Sequence, residues 1–188
     1  MHGWVADKLG DPTPRLSGRL TLNPLPHIDP FMSIIVPFLL VFLHSPIIFG
    51  AAKPVPINPN NLHDGKKDFA LVALAGPFTN FILAVVSAIL FHLTTNFPTQ
   101  LSPLTSIFFL ITLYNLMLGF LNLIPIPPLD GSRVISYFLP GELGRMYRSL
   151  EPFGIFILFM LLAFPFGGFS IQSLLQNLIF SSVRLLGF

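Results

Sequence analysis

Asp130 closes the segment Asn122-Leu-Ile-Pro-Ile-Pro-Pro-Leu-Asp130-Gly131, at the end of an apolar run that begins near Leu104. A carboxylate at the end of a membrane-length segment is costly to bury and marks function by default. The prolines before it break the helix. Broken backbone at membrane depth survives only inside protein or along a wet cavity. Asp130 is therefore expected where the helix opens into a polar pocket, and a pocketed carboxylate takes a cation. The residues alone leave a second reading open, a helix-capping aspartate at the interface paired with Arg133 one turn on. Asn115 and Asn122 are seven apart and share a face of the preceding helix, as a polar seam between helices or as part of a substrate site.

The segment from Asn122 to Gly131 resembles the signature with which site-2 proteases, the intramembrane zinc metalloproteases of peptidase family M50, supply their third metal ligand. That family takes its other two ligands from a His-Glu-x-x-His motif on an earlier helix. This chain opens Met1-His2-Gly3-Trp4-Val5-Ala6-Asp7-Lys8-Leu9-Gly10-Asp11, which is similar to the family's continuation after the second motif histidine. Gly76-Pro77-Phe78-Thr79-Asn80 resembles the family's Gly-Pro-x-x-Asn element at the head of the next membrane helix. The three elements keep their order, and the resemblance runs through nearly the whole chain.

The resemblance implies hydrolysis of peptide bonds within or beside a bilayer. His2 and Asp130 become two of three zinc ligands. The first histidine and the general-base glutamate fall upstream of Met1, so the sequence is expected to be truncated within the motif and to carry no general base of its own. Asn122 is implied to hold substrate or the developing oxyanion, and Asn80 to line the same cavity or clamp the helices. The compact form, without a PDZ module, is implied, as are transmembrane proteins or membrane peptides as substrates and a prokaryotic cell membrane as the location. Two histidines four apart share one ion on a helix face, and the glutamate beside the first acts as general base.

Other readings use the same residues. A catalytically inactive scaffold would bind transmembrane partners without cutting them. A small transporter would use Asp130 and the broken helix as an ion site. Gly76-Pro77 also reads as packing and first-turn helix geometry, and His2 by itself reads as a frayed terminus. His27, His44, His63 and His92 lack a histidine four residues away and are taken as non-ligands.

The elements that must position these residues are helical and membrane-bound. Hydrophobic residues make up 53% of the chain and charged residues 10%, well below the roughly 25% of soluble domains. Cysteine is absent, which excludes disulfides, thiolate metal sites and a cysteine nucleophile. The net charge of +2 comes from basic residues scattered among loops, so nucleic acid is not an expected partner. Apolar runs cover about residues 31–52, 69–93, 104–124 and 153–167, and Ile171, Leu174, Leu175 and Leu178 begin an amphipathic helix over about 170–187. The residues Arg19 to Pro26 alternate like a short strand. The expected architecture is an all-α polytopic bundle forming one domain over 1–188.

Loop charges orient the bundle. Lys53, Lys66 and Lys67 precede the second run, and Arg133, Arg145 and Arg148 precede the fourth. The loop between the second and third runs, about 92–103, carries no charge. Under the positive-inside rule the first two loops are cytoplasmic and the uncharged one faces outward. Run 31–52 has basic residues on both flanks, so it is expected to dip into the bilayer and return near its prolines. This topology puts Asn80 and Asp130 towards the cytoplasmic side.

Overall fold

The computed structural model describes residues 1–188 except 22, 45–49, 51, 96–101 and 166–169. Parts of the apolar runs 31–52 and 153–167 and most of the uncharged loop lie outside the described residues. Every regular element among the described residues is helical. The chain forms two compact units, Met1–Asp68 and Phe69–Phe188.

In the first unit, α1 (His2–Lys8) and α2 (Thr13–Leu16) pack together around a turn at Gly10. Gly10 has a φ of +105°, and a Cβ there would fall 2.6 Å from the His63 ring. Glycine is the residue that meets both demands. Asp11, fully buried, ties this corner to residues 58–61. Its carboxylate accepts hydrogen bonds from the Thr13 N–H and hydroxyl, the Asn58 N–H at 2.7 Å and the Asn61 amide at 3.1 Å. The strand expected from Arg19 to Pro26 does not form among the described residues. Pro24 and Pro26 withhold N–H donors, and the chain instead tightens into a 3₁₀ turn over Leu25–His27.

Asp29 then accepts hydrogen bonds from the N–H groups of Phe31 and Met32, each at 2.9 Å, and so starts a π-turn (Pro30–Ile35) that runs into α3 (Val36–Phe42). The apolar helix Pro30–Phe42 rises about 20 Å at 1.5 Å per residue, short of a hydrocarbon core of roughly 30 Å.

Among the described residues, three helical stretches are long and apolar enough to cross a membrane: Gly65–Thr95, Pro103–Asn122 and Gly141–Ala163. The protein is a multi-pass helical membrane protein. In the second unit α4 (Gly65–Thr95) and α5 (Ser102–Asn122) pack through small and aromatic residues. Gly119 lets the Phe81 ring approach, with 2.8 Å left for a Cβ, and Phe81 meets Phe120 edge-on at 5.0 Å. Buried Thr112 donates to the Phe108 carbonyl at 2.9 Å and to the Ala84 carbonyl across the helices at 3.4 Å. Small residues and hydroxyl bonds are what hold helices together where lipid removes the hydrophobic drive.

Gly76-Pro77 lies inside α4, not at its start, which overturns the first-turn reading; Pro77 is instead fully buried in the packing. After α5 come α6 (Asp130–Phe138), α7 (Gly141–Arg148), α8 (Gly154–Ala163) and α9 (Ile171–Leu185). The amphipathic C-terminal helix packs against α5 and α8. Its end is fixed where His92 meets the Leu186 carbonyl at 2.7 Å and Phe188 packs on Phe91 and Phe109.

Candidate metal and substrate site

Helix α5 stops at Asn122 because its continuation lacks donors. Prolines at 125, 127 and 128 cannot supply the N–H groups that would bond the carbonyls of Leu121, Leu123 and Ile124. The backbone finds other partners. Ile124 N–H donates to Leu121 at 3.1 Å, Ile126 N–H to Ile124 at 2.8 Å, and Leu129 N–H to Ile126 at 2.9 Å. The Pro127–Pro128 peptide is cis.

This tight path is held from three later elements. Gly131 in α6 lies against the Leu123 backbone. Gly154 at the start of α8 lies against the Pro127 carbonyl. The Tyr147 hydroxyl on α7 donates to the Pro125 carbonyl at 2.7 Å.

Asp130 is the first residue of α6, following Leu129 in the cap position, so it is not the capping residue that one sequence reading allowed. Ser132 closes the same turn, its N–H and hydroxyl donating to the Leu129 carbonyl at 3.0 and 2.7 Å. A carboxylate in a first helical turn is also favoured by the helix dipole. The Arg133 guanidinium, proposed as its ion-pair partner, sits over the Phe69 ring at 5.1 Å. Asp130 is half-buried at the point where apolar helix gives way to bent backbone.

Asn122, half-buried, ends α5, and Asn80, also half-buried, stands next to Phe81 in α4. The Phe81–Phe120 contact brings those two stretches of helix alongside each other. Asn115 turns its amide back onto the Ile111 carbonyl at 2.8 Å. Below the contact a cavity of about 350 Å³ opens between Leu71, Leu74, Pro77, Phe78, Phe81 and Leu123. Its lining is almost wholly apolar.

His2 opens α1 in the first unit and is half-buried. Imidazole nitrogen and carboxylate oxygen are donors that zinc takes. His2 and Asp130 are each of a donor type that suits zinc, while no group of three His, Cys, Asp or Glu side chains is gathered for a metal among the described residues. Sequence reasoning missed Tyr147 and Gly154. No local pattern marks a tyrosine whose hydroxyl bonds a proline carbonyl 22 residues earlier.

Comparison with known proteins identifies the family. The model of peptidase family M50 matches residues 96–165, which take in α5, the proline break, Asp130 and α8. "Putative zinc metalloprotease YwhC" of Bacillus subtilis is 35% identical over 183 residues, covering 93% of this chain and 78% of that protein. "Putative zinc metalloprotease Rip2" of Mycolicibacterium smegmatis is 34% identical over 166 residues, and Rip2 of Mycobacterium tuberculosis H37Rv 30% over 164. Each of those matches covers 87% of this chain and 61% of the Rip2 protein. No solved structure matches the chain. The chain is similar to proteins named for zinc-dependent peptidases over nearly its whole length, and it belongs to peptidase family M50, the site-2 proteases.

Proposed function

We propose that residues 1–188 form the membrane-embedded catalytic domain of a zinc endopeptidase that cleaves membrane-spanning proteins or membrane peptides. The observation that carries this reading is Asp130, a carboxylate delivered by a clamped proline break at the end of a membrane-length helix. His2 and Asp130 would hold the metal with a second histidine that is not among these residues. Zinc with three protein ligands and an open position lowers the pKa of a bound water to about 7 and polarises a carbonyl. The proton acceptor would be a glutamate preceding His2 by three positions, also outside residues 1–188.

The chain's own residues prepare the substrate. Asn122 offers an amide to the scissile carbonyl or to the charge that develops on it. Asn80 lines the same space. The apolar cavity beside Leu123 takes a large aliphatic or aromatic side chain of the substrate. Scattered basic residues in the flanking loops support a site towards the cytoplasmic side of a prokaryotic cell membrane.

The test uses the chain extended by a segment ending in His-Glu-x before Met1, reconstituted with a single-span model substrate. Cleavage should be sensitive to chelators, and Asp130→Asn should abolish it while membrane insertion is unchanged. Cleavage at the normal rate by the Asp130→Asn protein would rule out the metal assignment. Substrate capture without cleavage by the extended chain would favour a scaffold.

A further inference from the structure

We propose that Tyr147 is a positioning residue for Asp130, acting through the Pro125 carbonyl. In a continuing α-helix the Pro125 carbonyl would accept from the Leu129 N–H. That N–H donates to Ile126 instead, at 2.9 Å. The Pro125 carbonyl is thereby left without its helical donor, and a backbone acceptor at a helix end is met by another partner. The Tyr147 hydroxyl fills the vacancy at 2.7 Å, from a different helix.

The bond lies at a sensitive place. Between Asn122 and Asp130 the chain has no regular helical ladder, and its conformation sets the direction in which Asp130 leaves α6. Gly131 and Gly154 restrain the path by close approach, which limits translation. The tyrosine adds a directional hydrogen bond at the middle of the segment, which limits rotation of the Pro125 peptide plane. Tyr147 is half-buried on α7. Removing the hydroxyl should therefore loosen residues 124–130 while leaving the α4–α5 packing intact.

The consequence for metal binding rests on the reading of Asp130 as a ligand; the consequence for backbone order does not. Amide exchange on the chain as it stands, in detergent micelles, tests the second. In Tyr147→Phe the amides of Ile126, Leu129 and Ser132 should exchange about five- to tenfold faster, the equivalent of one lost hydrogen bond. Amides within α4 and α5 should be unchanged. Cobalt titration of the extended chain tests the first, through its visible absorption bands. Tyr147→Phe should weaken cobalt binding about tenfold, as loss of a supporting contact does, and alter the band intensities. In an Asp130→Asn background it should have no further effect.

Unchanged exchange at residues 126–132 would overturn the proposal. Faster exchange with wild-type cobalt affinity and spectrum would reduce Tyr147 to a purely structural residue, and would overturn it as well. Failure of the extended wild-type chain to bind cobalt would instead overturn the metal reading of Asp130, a result the exchange experiment separates because it needs no metal.

Discussion

Gly131 lies so close to the Leu123 carbonyl that a Cβ at this position would fall inside contact distance, and within 2.7 Å of the Ile124 carbonyl oxygen as well. The residue following Asp130 is thus wedged against the last turn that α5 can form before its donors run out. The atoms it meets are backbone, with no rotamer into which they can withdraw. A glycine here is the condition for starting α6 directly on the broken end of α5, and so for placing a carboxylate at that junction.

Gly131→Ala should therefore destabilise the second unit by about 3 kcal/mol, the upper end of the usual range for overpacking, because the atoms it meets cannot yield. Gly154→Ala, which meets the Pro127 carbonyl, should behave alike. Gly141→Ala is the control. It has open space around it and stands at the start of α7, so alanine should be neutral or stabilise by up to about 1 kcal/mol. Thermal unfolding of the three variants in one detergent orders them, and equal midpoints would refute the wedge.

Much of this arrangement is legible in the sequence because it is one-dimensional. The apolar runs give α4 and α5 to within a few residues, since length and hydropathy decide a membrane helix locally. Pro125, Pro127 and Pro128 announce the end of α5 for the same reason. The role of Gly76-Pro77 is not legible, because whether a proline starts a helix or sits within one depends on tertiary packing around the freed carbonyl. The missing strand at Arg19–Pro26 has a related cause, for an alternating pattern becomes a strand only beside a partner. Tyr147 and Gly154 act on a segment far away in sequence, and no spacing rule reaches that distance.

The buried Asp11 carboxylate makes the first unit sensitive to acid. Burial alone would raise its pKa, but hydrogen bonds from Thr13, Asn58 and Asn61 outweigh that and hold it below the ordinary value of 3.8. A depressed folded-state pKa contributes stability that is fully present above the unfolded value and is lost as pH falls through the folded one. Protection of the Thr13 and Asn58 amides should accordingly be flat from pH 7 to about 5 and fall below about pH 4. Asp11→Ala should lower it at pH 7 by about 2–4 kcal/mol, because several buried donors lose their acceptor, and should flatten the acid limb. An acid limb unchanged in the variant would assign it to another group.

The crossing of α4 and α5 depends on Gly119 in a graded way. The Phe81 ring is a side chain and can shift, so Gly119→Ala should cost about 1 kcal/mol, while Gly119→Leu should force the ring off Phe120 and cost about 3 kcal/mol. The distance between spin labels on the outer faces of α4 and α5 should widen in the leucine variant. If it does not, the helices are held by contacts other than this one.

The apolar cavity beside Leu123 should select among substrates if it receives a side chain next to the scissile bond. Ala75 also borders it, and Ala75→Phe would fill much of its volume of about 350 Å³. In the extended, active chain this variant should lower kcat/KM about tenfold for a substrate carrying leucine or phenylalanine at the selected position. A substrate with alanine there should be cut at close to the wild-type rate. The asymmetry follows from what an apolar pocket can discriminate, about 1–3 kcal/mol per methylene-sized change. Equal losses for both substrates would mean that the substitution damages α4 as a whole. Equal rates for both, at wild-type level, would mean that lipid rather than substrate occupies the cavity, and the peptidase reading would stand without it.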